Sequence, residues 1–359
     1  MTNAAKEPDS RPSADSPEVA ASLPVTVIGS GRSSRFYWEC LTLDSRFEVA
    51  SQSAELPPAV DLKSLAAVFL FDTPPGRLAS IRRCLANGCR VVTESPIAAT
   101  AEASDELAPL VSSDTKASQH FILRRGFEDP DFRRAWEVVS DGEAGDVRHV
   151  EFTLQQTAAF FLPEDPDAPD PADSSAPTEL ESGVLAAFGP DLLAQTLTLI
   201  PQQVVRLFAT MSFRRPEFGQ VDSPPGQSRL AARPADVDSG FRVWLEFETG
   251  ETAQLTVDLA SHADVSTGWT LQTTRGGYRN SRKVLTETDG EIYDVPVEAG
   301  DSSLLDAVAV FLESSDVEDA AVSDNLRRLF SLQTELRVLK LLEAIRESVA
   351  KRQAVECRI

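Results

Sequence analysis

The chain is short of basic charge, sulfur and histidine, and each shortage removes a class of function. Against 56 acidic residues stand 34 lysines and arginines, a formal net charge of −22. Nucleic-acid backbones and anionic membrane surfaces are held by clustered cations, so neither is an expected partner. Four cysteines (Cys40, Cys84, Cys89, Cys357) and three histidines (His120, His149, His262) occur among 359 residues, with no metal-ligand spacing. The cysteines read as buried, reduced thiols, and no metal is expected. No apolar run is long enough to span a membrane, and Met1–Leu23 has no apolar core of the signal-peptide kind. Residues 1–22 read as a polar, disordered tail, and the cytoplasm is the expected location.

What is present is ample apolar residue content, 42% against 25% charged, in a chain long enough for two cores. Val25-Thr26-Val27-Ile28 has strand character and runs directly into Gly29-Ser30-Gly31-Arg32-Ser33-Ser34-Arg35, where a helix begins. Such a turn aims unpaired backbone N–H groups and the positive end of the helix dipole at one point, where an anion can sit. Gly29 permits the tight turn and Gly31 lets a phosphate approach the backbone; Ser34 stands where the dinucleotide fingerprint has a third glycine. A plain strand-to-helix turn is the alternative. The next strand, Phe47–Ala50, ends in Ser51, Gln52 and Ser53 rather than an acid for a ribose diol. Arg32, with those serines, suits a 2′-phosphate and favours NADP over NAD. Arg35 reads as a solvated neighbour of that turn.

Only Ala54–Ser64, carrying Pro57-Pro58, precedes the strand Leu65–Phe71, too little for a full helix. Thr73-Pro74-Pro75, a helix Gly76–Asn87 stopped by Gly88, a strand Arg90–Thr93 and the turn Glu94-Ser95-Pro96 follow. A helix Thr100–Ser112, a strand Gln119–Leu123 and a helix Phe132–Ser140 complete residues 23–145. This alternation predicts a Rossmann-type, doubly wound parallel sheet. Arg124 and Arg125 either reach into a cleft between domains or lie on the surface. His120 and His149 fall in strand patterns, and His262 receives no role.

Beyond Gly145 the pattern changes to an α+β domain, residues 146–359, with a large open, mostly antiparallel sheet. Strands are expected at Val147–Ala158, Val204–Phe213, Phe241–Glu248, Thr252–Ala260, Thr270–Thr274, Lys283–Thr288 and Glu291–Val295. Thr249-Gly250-Glu251 reads as a hairpin turn. Residues 163–182 hold seven acids, five prolines and no base, a solvated loop. Gly183–Ile200 reads as an apolar helix interrupted by Gly189-Pro190, which Asp191 would cap. Helices at Leu304–Glu313 and Leu326–Ala350 close the chain. The last carries the core-facing stripe Leu329, Leu332, Leu336, Leu339, Leu342 and Ile345.

Three landmarks together resemble the glucose–fructose oxidoreductase / inositol dehydrogenase / rhizopine-catabolism (Gfo/Idh/MocA) family. They are Gly29–Arg35; Thr73-Pro-Pro followed by Leu85–Pro96; and Gly183–Ala194. The resemblance implies NAD(P)-dependent hydride transfer on a small carbonyl, sugar-like or conjugated substrate. It places Thr73, Pro74, Pro75 and Glu94 beside the cofactor, with Gly29–Ser34 on its phosphates. It also implies that the chain assembles with copies of itself. In that family a lysine, a histidine and aspartates handle the accompanying proton, a service worth ~10²–10⁴ in rate. Here Ser95 replaces the lysine, Asp191 the histidine, and Ala187 and Ala194 the aspartates; Leu78 replaces a further histidine. Two functions are therefore expected to compete: an oxidoreductase with altered proton handling, in which Asp191 is the remaining candidate base, and a nucleotide-binding sensor or scaffold without turnover.

Overall fold

A computed structural model describes residues 22–58, 60–71, 74–98, 106, 109, 119–155, 183–213, 238–259, 266–286, 291–300, 303–313 and 324–359. Residues 1–21 of the expected tail, all but residues 106 and 109 of the expected helix Thr100–Ser112, the acidic loop 163–182, Thr73 and His262 lie outside them. Five strands, β1 (Leu23–Ile28), β2 (Phe47–Ser53), β3 (Ala67–Leu70), β4 (Arg90–Glu94) and β5 (His120–Leu123), form an all-parallel sheet in the order β2-β1-β3-β4-β5. Parallel strands need both faces covered, and β3 accordingly has no polar residue and four buried ones. Helix α1 (Arg32–Leu43) lays Tyr37 and Leu41 on Val25, Val27 and Phe69. Helix α2 (Pro74–Ala86) lays Ile81 and Leu85 on Val68, Leu70 and Val91 across the sheet. Gly88, at φ +73°, ends α2 as expected. No helix joins β2 to β3 among the described residues.

The second sheet has nine strands: β6 (Val147–Gln155), β7 (Val204–Ser212), β8 (Gly240–Phe247), β9 (Thr252–Asp258), β10 (Ser266–Thr273), β11 (Gly276–Arg279), β12 (Arg282–Thr286), β13 (Ile292–Pro296) and β14 (Val355–Glu356). Their order is β13-β12-β11-β10-β6-β9-β8-β7-β14, antiparallel except for the parallel pair β6–β9. The sequence pattern missed β11 and β14, because each is too short to show a period of two. One face is covered by α3 (Pro130–Ser140), α4 (Val184–Leu199) and α7 (Leu332–Lys351), while α5 (Leu304–Glu313) packs against β5 of the first sheet and α6 (Asp324–Leu329) against α4 and α7. Helix α3, which follows the first sheet in the chain, packs on the second: Asp131 accepts from Trp269 N at 2.6 Å and from the Tyr278 hydroxyl.

Two expectations about helices are corrected. Helix α4 runs unbroken through Gly189-Pro190. A mid-helix proline costs about 3 kcal/mol, but twelve residues of α4 are buried. A Cβ on Gly189 would meet Leu342 of α7 at 3.1 Å, so glycine here permits close helix packing. The closing helix, by contrast, is two. Phe330 stacks on Phe121 (4.4 Å between centroids) and accepts from Ile122 N, which pulls residue 330 out of the helix. Ser331 then caps α7 by accepting from Thr334 N at 3.1 Å.

Candidate dinucleotide site

In a sheet of this order the chain winds in opposite directions from β1 and β3, and ligands bind in the crevice at their carboxyl ends. The loop after β1 is Gly29-Ser30-Gly31. Gly29 sits at φ +136°, and a Cβ there would lie 3.0 Å from the Phe71 backbone, so only glycine keeps β1 against the end of β3. A Cβ on Gly31 meets nothing within 4 Å; the space in front of it is open. Helix α1 starts at Arg32 with no side-chain cap and no acid in its first turn. Its first N–H groups therefore face the crevice without an intrahelical acceptor. Ser34 is buried and donates to Gly31 O at 2.7 Å, which holds the turn where a third glycine would stand. At the end of β2, the Thr26 and Ser51 hydroxyls bond at 2.5 Å and Ser53 Oγ donates to Glu55 O at 2.7 Å.

The other end of the crevice is closed. Ser95 follows β4 and is joined to Pro96 by a cis peptide. Arg124, at the end of β5, and Glu335, on α7, form an ion pair at 2.6 Å with both side chains fully buried. Ser95 Oγ accepts from Arg124 Nη1 at 3.0 Å and donates to Glu335 Oε2 at 2.9 Å. Glu335 Oε1 accepts from Ile97 N, and Arg124 Nε donates to Leu329 O. Arg77 of α2 donates to Glu94 O and Pro96 O. The segment Glu94–Ile97 is thus held by a carboxylate and two guanidinium groups. Arginine stays protonated and is no proton shuttle. Of the two adjacent arginines, Arg124 is neither in the cleft nor on the surface but inside the protein.

Asp191 does not cap its helix; it stands in the middle of α4. Its Oδ2 accepts from Gly126 N at 2.9 Å, while Gln195 Nε2, one turn on, donates to Gly126 O at 2.6 Å. The two side chains grip both main-chain groups of Gly126 in the 3-10 turn Arg125–Glu128. A Cβ on Gly126 would lie 2.7 Å from Gln195 Nε2, which explains the glycine. Burial pushes the Asp191 carboxyl above the usual range, opposed by the Arg124 guanidinium and the Gly126 N–H.

Between the two ends lies Arg125. Its Nη2 is 2.5 Å from Glu94 Oε1 and donates to Ser33 Oγ at 2.8 Å. Tyr37 stacks on Phe71 (5.0 Å, 6°), and its hydroxyl bonds Arg125; burial chiefly raises its pKa, with Glu94 adding to the rise. Neither Glu335 nor Gln195 was singled out from the sequence. The available signals were a carboxylate inside the leucine stripe, three residues after Leu332, and two polar residues four apart on an otherwise apolar helix. Pro74 opens α2, which follows β3 in the chain. Among the described residues no group of His, Cys, Asp and Glu is arranged to hold a metal, and no helix is long and apolar enough to cross a membrane. All four cysteines are free.

Strand order, crevice and second sheet define a protein with the two-domain fold of NAD(P)-binding oxidoreductases. Residues 132–279 match the model of the GFO/IDH/MocA C-terminal domain. No curated protein matches it by sequence. Among solved structures, an NAD-binding protein from Listeria innocua is 16% identical with a TM-score of 0.63, covering 94% of this chain and 99% of its own. A myo-inositol dehydrogenase from Corynebacterium glutamicum is 15% identical with a TM-score of 0.61, covering 94% and 99%. At such identities the likeness is one of fold.

Proposed function

We propose that the chain binds a nicotinamide dinucleotide in the crevice between β1 and β3, with NADP preferred to NAD. The observation that carries this reading is the glycine turn: Gly29 is locked against Phe71, Gly31 faces open space, and α1 presents an uncapped first turn. The residues fit a diphosphate, since a Cβ at 31 would fill the room a phosphate oxygen needs. Arg32, with no carboxylate closing β2, supports a 2′-phosphate. The resemblance puts Thr73, Pro74, Pro75 and Glu94 beside the nicotinamide ribose. When bound, such a cofactor supplies or accepts a hydride. The chain's own part is to orient a small carbonyl, sugar-like or conjugated substrate near Asp191 and to manage the proton. Asp191, with its carboxyl raised by burial, is the remaining acid for that step.

A second reading, a nucleotide-binding sensor or scaffold without turnover, draws on the closed end of the crevice. Ser95 is bound to Arg124 and Glu335, and Ala187 and Ala194 are inert. Titrating the full chain with NADPH and NADH by fluorescence, then following NADPH oxidation with a panel of aldehydes, ketones, imines and conjugated enones, separates the readings. Turnover of any substrate that is lost in Asp191→Asn establishes the first. Binding with no turnover leaves the second, and absence of binding at millimolar concentration removes both. The outward face of the second sheet, where Phe208 and Trp244 are 43% and 37% exposed, is where a second copy would pack; the cytoplasm remains the proposed location.

A further inference from the structure

We infer that Arg125 is a dinucleotide-binding residue, held in reserve by Glu94 and moving onto the diphosphate when the ligand enters. The inference rests on the proposed binding of a dinucleotide and adds a residue that the glycine fingerprint does not contain. Arg125 belongs to the 3-10 turn that follows β5, three strands away from β1, yet its Nη2 reaches Ser33 Oγ on the first turn of α1 at 2.8 Å. The same nitrogen lies 2.5 Å from Glu94 Oε1. One guanidinium thus spans the crevice mouth from the anion-binding turn to the end of β4.

Three observations indicate that this position serves a ligand. The contact with Glu94 is an ion pair without hydrogen-bond alignment, for Glu94 Oε1 is buried and has no hydrogen-bond partner among the described residues. The Arg125 side chain is 49% exposed, so water screens its pairing with Glu94 and lowers the cost of exchanging that partner. Its base is fixed, by contrast, because Asp191 and Gln195 hold the N–H and C=O of Gly126, next in the chain. A fixed base under a half-exposed guanidinium lets the head exchange one anionic partner for another without moving the main chain. A diphosphate at the α1 N-terminus would lie beside Ser33, and its oxygens can take the aligned N–H bonds that the Glu94 contact lacks. Its departure would free Glu94 to accept from a ribose hydroxyl.

Equilibrium titrations of the full chain with NADPH, ADP and AMP test the inference at low ionic strength. Arg125→Gln is expected to weaken NADPH and ADP about tenfold or more and to leave AMP, which has no diphosphate, within about twofold. Glu94→Gln, which removes the competing carboxylate, is expected to tighten ADP several-fold. A role for Arg125 in stability alone would not produce that opposite sign. Arg125→Lys keeps the charge and should recover part of the affinity. If wild-type protein binds NADPH while Arg125→Gln binds NADPH and ADP equally well, the inference is overturned and the dinucleotide reading stands. If the wild-type chain binds neither NADPH nor ADP, the dinucleotide reading itself fails and takes this one with it.

Discussion

At the Gly29–Ser34 end of the crevice the backbone faces open space, while at Ser95, two strands further across the sheet, side chains have closed in on one another. Apart from Arg32, the first end is made of residues without side chains or with very short ones, so what it presents is N–H groups that any sequence would supply once glycine permits the turn. The second end is made of long charged side chains drawn from β5, α2 and α7. They are bound to one another and to the neighbouring main chain. A site assembled from backbone survives drift in side chains; a site assembled from side chains can be rewired by a few substitutions. The contrast shows how a chain can keep the form of a crevice while the side chains at one end of it change.

The comparison can be broken most directly at the closed end. Arg124→Ala leaves Glu335 charged and fully buried, and should cost about 3–5 kcal/mol, read as a drop in the urea midpoint at constant slope. A loss under 1 kcal/mol would mean that the network is not what closes this end. Ser95→Lys, which restores the family residue, introduces an ammonium beside the Arg124 guanidinium, now 3.0 Å from Ser95 Oγ. It should destabilise by about 3 kcal/mol and yield no sugar dehydrogenation, even with Asp191→His added. A stable, active Ser95→Lys protein would show that only a proton donor had been lost.

The open end separates two glycines. Gly29→Ala forces a side chain into positive φ and against Phe71, at a cost of about 1–3 kcal/mol. Gly31→Ala adds a methyl to empty space in extended backbone and should cost less than about 1 kcal/mol, yet weaken NADPH binding more than tenfold. Equal stability losses in the two variants would contradict the geometry. A smaller effect concerns pH. His120, beside the closed end, bonds Thr93 Oγ1 at 2.8 Å, and burial, helped by Arg77, depresses its pKa to about 3. The unfolded chain binds that proton near pH ~6.5 and the folded chain does not. Stability is therefore complete above the unfolded value and lost as pH falls toward 3, with a slope of up to about 1.4 kcal/mol per pH unit. In His120→Gln that contribution to the acid limb should disappear.

Local rules carried the reading of the first domain. Strand-turn-helix punctuation, short apolar runs and the Gly88 stop are effects of near neighbours, and β1, α1, α2 and β4 fall where the sequence put them. The same rules failed wherever a distant surface outweighed a local preference. Proline at 190 reads as a break, but the buried surface of α4 against α7 carries the helix through it. The uninterrupted leucine stripe reads as one helix, but Phe330 gains more by stacking on Phe121 than by continuing it. Asp191 reads as a cap because it follows Gly-Pro; its true partner, the Gly126 N–H, is sixty-five residues away.

The sequence by itself determined the parallel α/β sheet, the mostly antiparallel sheet after it and the glycine turn behind β1, because each depends on residues adjacent in the chain. Tertiary structure alone decided what surrounds Ser95 and where Arg125 points. Glu335 meets Ser95 and Arg124 only after α7 has folded back across the first sheet, and a buried charge chooses its partner by proximity in space, at energies no propensity scale contains.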